Sequence, residues 1–238
     1  MPHEQMNEQQ VAAYLHMDRR ELTKLASRGK IPCRKTSGGY LFRKGEIDHW
    51  VEQRMPLLER HELAKIEKGV SEHHGFDPHA MLVCPLIPNG GIAVPLQAKT
   101  RDAVLRELVA LADRAGMVYA ADELLAEVKL REELCTTAIG PGFAVPHPRH
   151  PLPYDIASSF VVVGLTASGI PFGAMDGSLT RLFFLICAKD DRTHLHVLAR
   201  LGQMLHDEAS AAKIFEAQSE DELQRVFANL EQHALASK

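Results

Sequence analysis

Apolar residues first recur at helical spacing near the N-terminus, where Val11, Tyr14 and Leu15 stand at i, i+3 and i+4. Asn7, with Gln10 three residues on, has the pattern of an N-cap and its capping-box partner, which predicts a helix to about residue 16. Asp18 and Glu21 repeat that pattern and open a second helix to about residue 27, with Leu22 and Leu25 inward and Gly29 as its stop. The period then shortens. Residues 31–34 and 40–43 flank a turn of Ser37, Gly38 and Gly39, which reads as a β-hairpin. A third helix, from residue 44 to about 55, would bury Ile47, Trp50 and Val51. Two short capped helices, a hairpin wing and a third helix make residues 1–55 a winged helix-turn-helix candidate.

The pattern breaks over residues 56–85, which hold a charged, partly helical piece and then Gly69, Gly75, Pro78, His73, His74 and His79. A polar linker is the expected structure, since no fourth ligand stands at a usual metal-site spacing from the three histidines. Regular patterning resumes over residues 86–232. Residues 92–96 read as a strand, and Thr100 or Asp102 caps a helix with Val104, Leu105, Leu108, Val109 and Leu111 as its apolar stripe. A helix over about 121–133 carries Leu124, Leu125, Val128 and Leu130. Strands over 158–165 and 179–188 follow, separated by a loop anchored by Phe172, and helices over about 192–206 and 220–232 close the series. The alternation predicts an α/β (α+β) fold, a mixed β-sheet flanked by helices, beside the small N-terminal winged helix-turn-helix domain.

Composition changes the picture little, but charge distribution changes it more. The 238 residues are 45% hydrophobic and 24% charged, ordinary for a globular chain, and no apolar run approaches a membrane span. Cys33, Cys84, Cys135 and Cys187 form no Cys-x-x-Cys pair, which fits reduced thiols and a cytoplasmic location. Residues 1–60 carry 11 Lys and Arg against 8 Asp and Glu, and residues 17–44 carry 9 against 2. The remainder is acidic. A basic head on an acidic body implies modules with different partners.

The candidate chemistry lies in TAIGPGFAVPHP, residues 137–148. Gly140 and Gly142 permit a tight turn, Phe143 to Val145 form a short strand, and Pro146 and Pro148 end its ladder, leaving His147 on a stiff, exposed corner. Imidazole at neutral pH offers an unprotonated nitrogen as nucleophile. The string resembles the active-site signature of enzyme IIA domains of the bacterial phosphotransferase system, of the fructose, mannitol and nitrogen-regulatory type. That resemblance, covering about residues 86–230, implies that His147 is phosphorylated by a histidine-containing phosphocarrier protein. It also matches Arg131 and His194 to the family's accessory arginine and second histidine, as stabilisers of the phosphoryl group. Pro148 stands where many members carry Gly, so no backbone N–H is offered there. Asp190, Asp191 or Thr193 would cap the helix bearing His194, and a helix N-terminus favours an anion.

Residues 6–53 resemble the excisionase-like, MerR-type winged helix-turn-helix domains, which implies binding to double-stranded DNA. Arg19, Arg20, Lys24, Arg28, Arg34, Lys35 and Arg43 fall on the second helix and wing and would contact mostly phosphates, with Arg19 or Arg20 as a base reader. So small a module calls for a dimer or a helper protein to bind tightly. A metal reading fails because His194 and His196, two apart on a helix, point about 200° from each other. His196 is expected to pack against a neighbouring helix. The reading is therefore a cytoplasmic phosphotransferase-system component without metal or cofactor, of the regulatory branch. Its partners would be the phosphocarrier, DNA, and a separate IIB component or a regulatory target. Two alternatives stand beside it: a sugar-specific enzyme IIA feeding a separate IIB, and a transcription factor or adaptor whose IIA-like domain does not turn over.

Overall fold

A computed structural model describes residues 5–15, 17–54, 60–75, 77, 80, 82–139, 142–174, 176–205 and 208–236. The N-terminal unit follows its local signals closely. Strand β1 (Gln5–Asn7) runs into helix α1 (Glu8–Tyr14), and Asn7 and Gln10 exchange both capping-box hydrogen bonds, at 2.9 and 2.8 Å. Helix α2 (Arg19–Ser27) is capped by Asp18, which accepts from Arg20 N at 2.7 Å rather than from Glu21 as the capping-box pattern had it. Gly29, at φ +66°, turns the chain, and the N–H groups of Gly29 and Lys30 bond back to the carbonyls of Ala26 and Leu25. The wing is β2 (Arg34–Thr36) against β3 (Gly39–Arg43), shorter on its first side than expected, and β1 adds an unforeseen third strand along β3. Helix α3 (Lys44–Arg54) buries Ile47 and Val51; Trp50 is only half-buried and donates to the Lys30 carbonyl at 2.7 Å.

The expected linker is largely a helix, α4 (Arg60–His74), packed on the body of the protein. Leu63, Glu67 and Ser71 recur at i, i+4 and i+8 and are all buried. The sequence read as a linker because the partners that neutralise Glu67 lie more than 120 positions away. His73, His74 and His79 have side chains outside the described residues.

The second unit is a five-stranded mixed sheet in the order β4-β7-β8-β6-β5. Its strands are β4 (Ile92–Leu96), β5 (Ala138–Ile139), β6 (Phe143–Ala144), β7 (Phe160–Ile170) and β8 (Thr180–Cys187). Strand β7 is antiparallel to β8 with Val162 opposite Leu185, β4 runs parallel to β7 and β6 parallel to β8, and β5 returns antiparallel to β6. Alternation within β7 and β8 divides the core. Phe160, Val162, Phe183 and Leu185 face α5 (Arg101–Arg114) and α6 (Ala121–Leu134). Val161, Val163, Phe184 and Ile186 face α7 (Asp191–Met204) and α9 (Glu220–Ala236), with the short α8 (Glu208–Phe215), which sequence periodicity missed, beside them. That second core continues without a gap through α7 and α4 into Val11, Tyr14, Leu22, Phe42 and Ile47 of the N-terminal unit. Leu130 does not join the α6 stripe; it is half exposed.

Candidate active site

His147 sits where β6 ends, but not on an exposed corner: its residue exposure is 2%, because the ends of α6 and α7 close over it. Contacts among the described residues orient the imidazole. Nδ1 lies 2.7 Å from the carbonyl oxygen of Val145, and Nε2 lies 3.0 Å from Arg131 Nε. The His194 ring stands over it at a centroid separation of 4.8 Å and a tilt of 55°. A carbonyl can only accept and a guanidinium N–H can only donate. Nδ1 therefore carries the proton and Nε2 presents its lone pair.

Each partner is placed by its own element. Arg131 is in the last turn of α6, is itself buried, and fixes its far end by donating to the Cys135 carbonyl at 2.9 Å. His194 is in the first turn of α7, which Asp190 caps by accepting from Thr193 N at 2.9 Å. Burial works to raise the Asp190 carboxyl, but hydrogen bonds from Thr193 and Arg192 outweigh it and leave Asp190 below the usual carboxylate range. Gly142, at φ +91°, lies under Phe215: a Cβ there would come within 2.8 Å of that ring. Gly140 lies outside the described residues.

The structure adds residues that the motif did not point to. Glu132, next to Arg131, is buried and accepts from Thr137 N at 3.0 Å and Thr137 Oγ1 at 2.5 Å, with Arg101 3.2 Å away. Burial pushes its carboxyl up, against the opposing pull of Thr137, Arg101 and Arg131. The Thr137 carbonyl in turn accepts from Val145 N at 3.0 Å. Glu132 thus ties the Arg131 helix to the strand whose carbonyl sets the His147 tautomer. The one available signal was a carboxylate beside the arginine, with a threonine five positions on.

The seven basic residues expected to meet DNA lie apart from this site. Arg19, Arg20, Lys24, Arg28, Arg34, Lys35 and Arg43 are all exposed, on α2, its C-terminal turn and the wing. Arg19 pairs with Glu8 at 3.2 Å and Arg43 with Glu46 at 3.3 Å, so those two already have acidic neighbours.

Residues 86–230 match the model of the phosphoenolpyruvate-dependent sugar phosphotransferase system family EIIA 2, more than half of the chain. The chain belongs to this family. Residues 6–55 of this enzyme IIA protein match a helix-turn-helix domain model. A fructose-specific EIIA component of Haloferax volcanii is 32% identical over 133 residues, covering 55% of this chain and 84% of that protein. A nitrogen regulatory protein of Bradyrhizobium diazoefficiens is 32% identical over 137 residues, covering 56% and 86%. The fructose-specific EIIABC component of Bacillus subtilis is 29% identical over 143 residues, and the chain spans only 22% of its length. Among solved structures, IIA mannitol from Escherichia coli covers 58% of this chain and 96% of its own, at 24% identity and TM-score 0.52. IIA-Ntr from Neisseria meningitidis covers 60% and 97%, at 20% identity and TM-score 0.55. These two establish the fold. Membership of the family makes the chain a phosphotransferase-system component, with both sugar-specific and nitrogen-regulatory relatives. Among the described residues no helix is long and apolar enough to cross a membrane.

Proposed function

We propose that this enzyme IIA protein is a cytoplasmic regulator that accepts a phosphoryl group on His147 Nε2 from a histidine phosphocarrier protein and binds duplex DNA through its N-terminal domain. The observation that carries the reading is the polarity of the two partners of His147, a carbonyl on Nδ1 and a guanidinium on Nε2. In the transfer, the phosphorus–nitrogen bond on the carrier breaks as one to Nε2 forms. The ring keeps its Nδ1 proton, and the Val145 carbonyl stabilises the positive charge that the ring acquires. Arg131, which holds the lone pair at rest, moves its N–H onto the phosphoryl oxygens. His194 is near enough to donate to the same oxygens, and positioning plus charge stabilisation supply the rate. No metal is needed in this scheme.

Incubation with a phosphorylated phosphocarrier, read by intact-protein mass spectrometry, tests the proposal. One acid-labile phosphoryl group is expected on the wild type and none on His147→Ala. Equal incorporation by the variant would move the acceptor elsewhere. A second reading, a sugar-specific enzyme IIA that passes phosphate to a separate IIB, draws support from the fructose- and mannitol-specific relatives and from the solved complex of enzyme IIAMTL with phosphorylated IIBMTL. The exposed basic face of the head favours the regulatory reading, since phosphoryl relay alone has no use for it.

A further inference from the structure

Helix α7 does two things at once. Its first turn holds His194 against His147, and its opposite face holds α4. From His194, residues 196, 200 and 203 lie about 200°, 240° and 180° around the helix, so they share the face turned away from the histidine pair. All three converge on one carboxylate, Glu67 of α4. His196 Nε2 is 3.0 Å from Glu67 Oε1, Arg200 approaches the same oxygen at 2.7 Å through Nε and 2.5 Å through its terminal nitrogen, and Gln203 bonds to Oε2. Arg200 also reaches Glu231 of α9 at 3.3 Å. Glu67, Arg200 and Glu231 have no solvent exposure. Charges so deep fix their geometry, because a misplaced partner leaves a buried ion uncompensated.

Helix α4 is seated just as closely on the DNA-binding head. A Cβ at Gly69 would stand 2.5 Å from the carbonyl oxygen of Tyr14, so α4 crosses directly over the end of α1. On the other side, Gly202 of α7 lets Leu63 approach to within 3.0 Å of where its Cβ would be. Glu67 lies outside both stretches that match families, residues 6–55 and 86–230, so no property of either family accounts for it.

We propose that Glu67 is a positioning residue of the phosphoryl site: through His196, Arg200 and Gln203 it sets the rotation of α7, and with it the placement of His194 over His147. The functional consequence rests on His147 being the acceptor. Because α4 is also the seat of the head, a shift of His194 on phosphorylation is felt at α4, and a change at α4 is felt at His194; such coupling between sites is reciprocal.

The test uses the full chain. Side-chain nitrogen–proton spectra of the histidines are compared between wild type and Glu67→Gln, with near-ultraviolet circular dichroism as the check on folding. The expected result is that the His194 and His147 ring signals shift together with those of His196. Movement confined to His196 would overturn the proposal and leave Glu67 a packing residue. If Glu67→Gln does not fold, Gln203→Leu, which keeps the Glu67–Arg200 pair, is read by the same criterion. A second arm treats each protein with phosphoramidate, which transfers its phosphoryl group to Nε2 and departs as ammonia with its own three protons. Hydrogen exchange over residues 60–74 should change on phosphorylation of the wild type and lose that change in the variant; an identical response in both overturns the linkage. Absence of a phosphoryl mass on the wild type would count against the acceptor reading, while the ring spectra still decide the role of Glu67.

Discussion

At His147 the choice between ring nitrogens is made by groups of fixed polarity, and that makes the neighbouring side chains separable by experiment. Arg131→Lys keeps a positive charge but loses the planar fork that reaches both Nε2 and the Cys135 carbonyl. Phosphorylation by the carrier should slow by roughly 10- to 100-fold, in line with about 1.5–3 kcal/mol for a hydrogen bond to a charged group. Rapid-quench measurement of phosphoryl incorporation checks it. Glu132 gives a prediction of opposite character, in pH. Its carboxyl is raised by burial from an ordinary value of 4.5, so the folded protein holds that proton more tightly than the unfolded chain does. The stability it contributes is complete below pH 4.5 and is lost as pH rises through the folded-state value. Urea titrations across pH should show wild type losing stability relative to Glu132→Gln over that rise, and a constant difference would refute it. That His147, His194 and Arg131 meet in one place was legible through the resemblance of their surroundings to the enzyme IIA signature, since only the turn and strand end around His147 carry a chemical reason of their own. The burial of His147 was not, since the residues that cover it come from the ends of two distant helices.

Among the elements, α1, α2 and the wing were legible from caps, turns and short apolar periods, because every one of those signals acts within a few residues. Helix α4 was misread as a linker for the converse reason. Its buried face includes a glutamate, a serine and a glycine, which look like solvent-facing residues until α7 and α1 supply their partners. Two glycine substitutions separate a packed helix surface from an open one. Gly69→Ala forces α4 away from the Tyr14 carbonyl and should destabilise the protein by about 1–3 kcal/mol, as overpacking does. Gly45→Ala, in α3, meets nothing within 4 Å and should be neutral or stabilise by up to about 1 kcal/mol. Denaturant midpoints of the two variants decide it: equal shifts would mean that α4 does not lean on α1.

On the scale of the whole molecule, the basic face of the head is open while the opposite side is built into the core. Binding to duplex DNA should weaken steeply with salt, by roughly one unit of log–log slope per phosphate neutralised. Lys35→Ala should lower that slope by about 1 without altering sequence preference. Filter binding at several ionic strengths gives the slope, and a flat dependence would reassign the head to protein contacts. Phosphorylation of His147 should change operator affinity through α7 and α4 rather than by charge across open solvent, which salt screens within about 8 Å. The change should accordingly persist at high salt once the overall weakening is factored out.

The contacts of Glu67 and Glu231 have a consequence for how the chain is made. Glu67 meets His196, Arg200 and Gln203 across 129, 133 and 136 positions, and Glu231 accepts from Leu82 N across 149. Synthesis delivers the head first, with a carboxylate on α4 whose counter-ion has yet to be translated. Helix α4 can lean on α1 as soon as it is made, but its Glu67 face has no finished surface to settle on until α7 has left the ribosome, and contacts of such span form late. A nascent chain stalled before α7 should leave residues 60–74 open to protease, and release of the stall should close them.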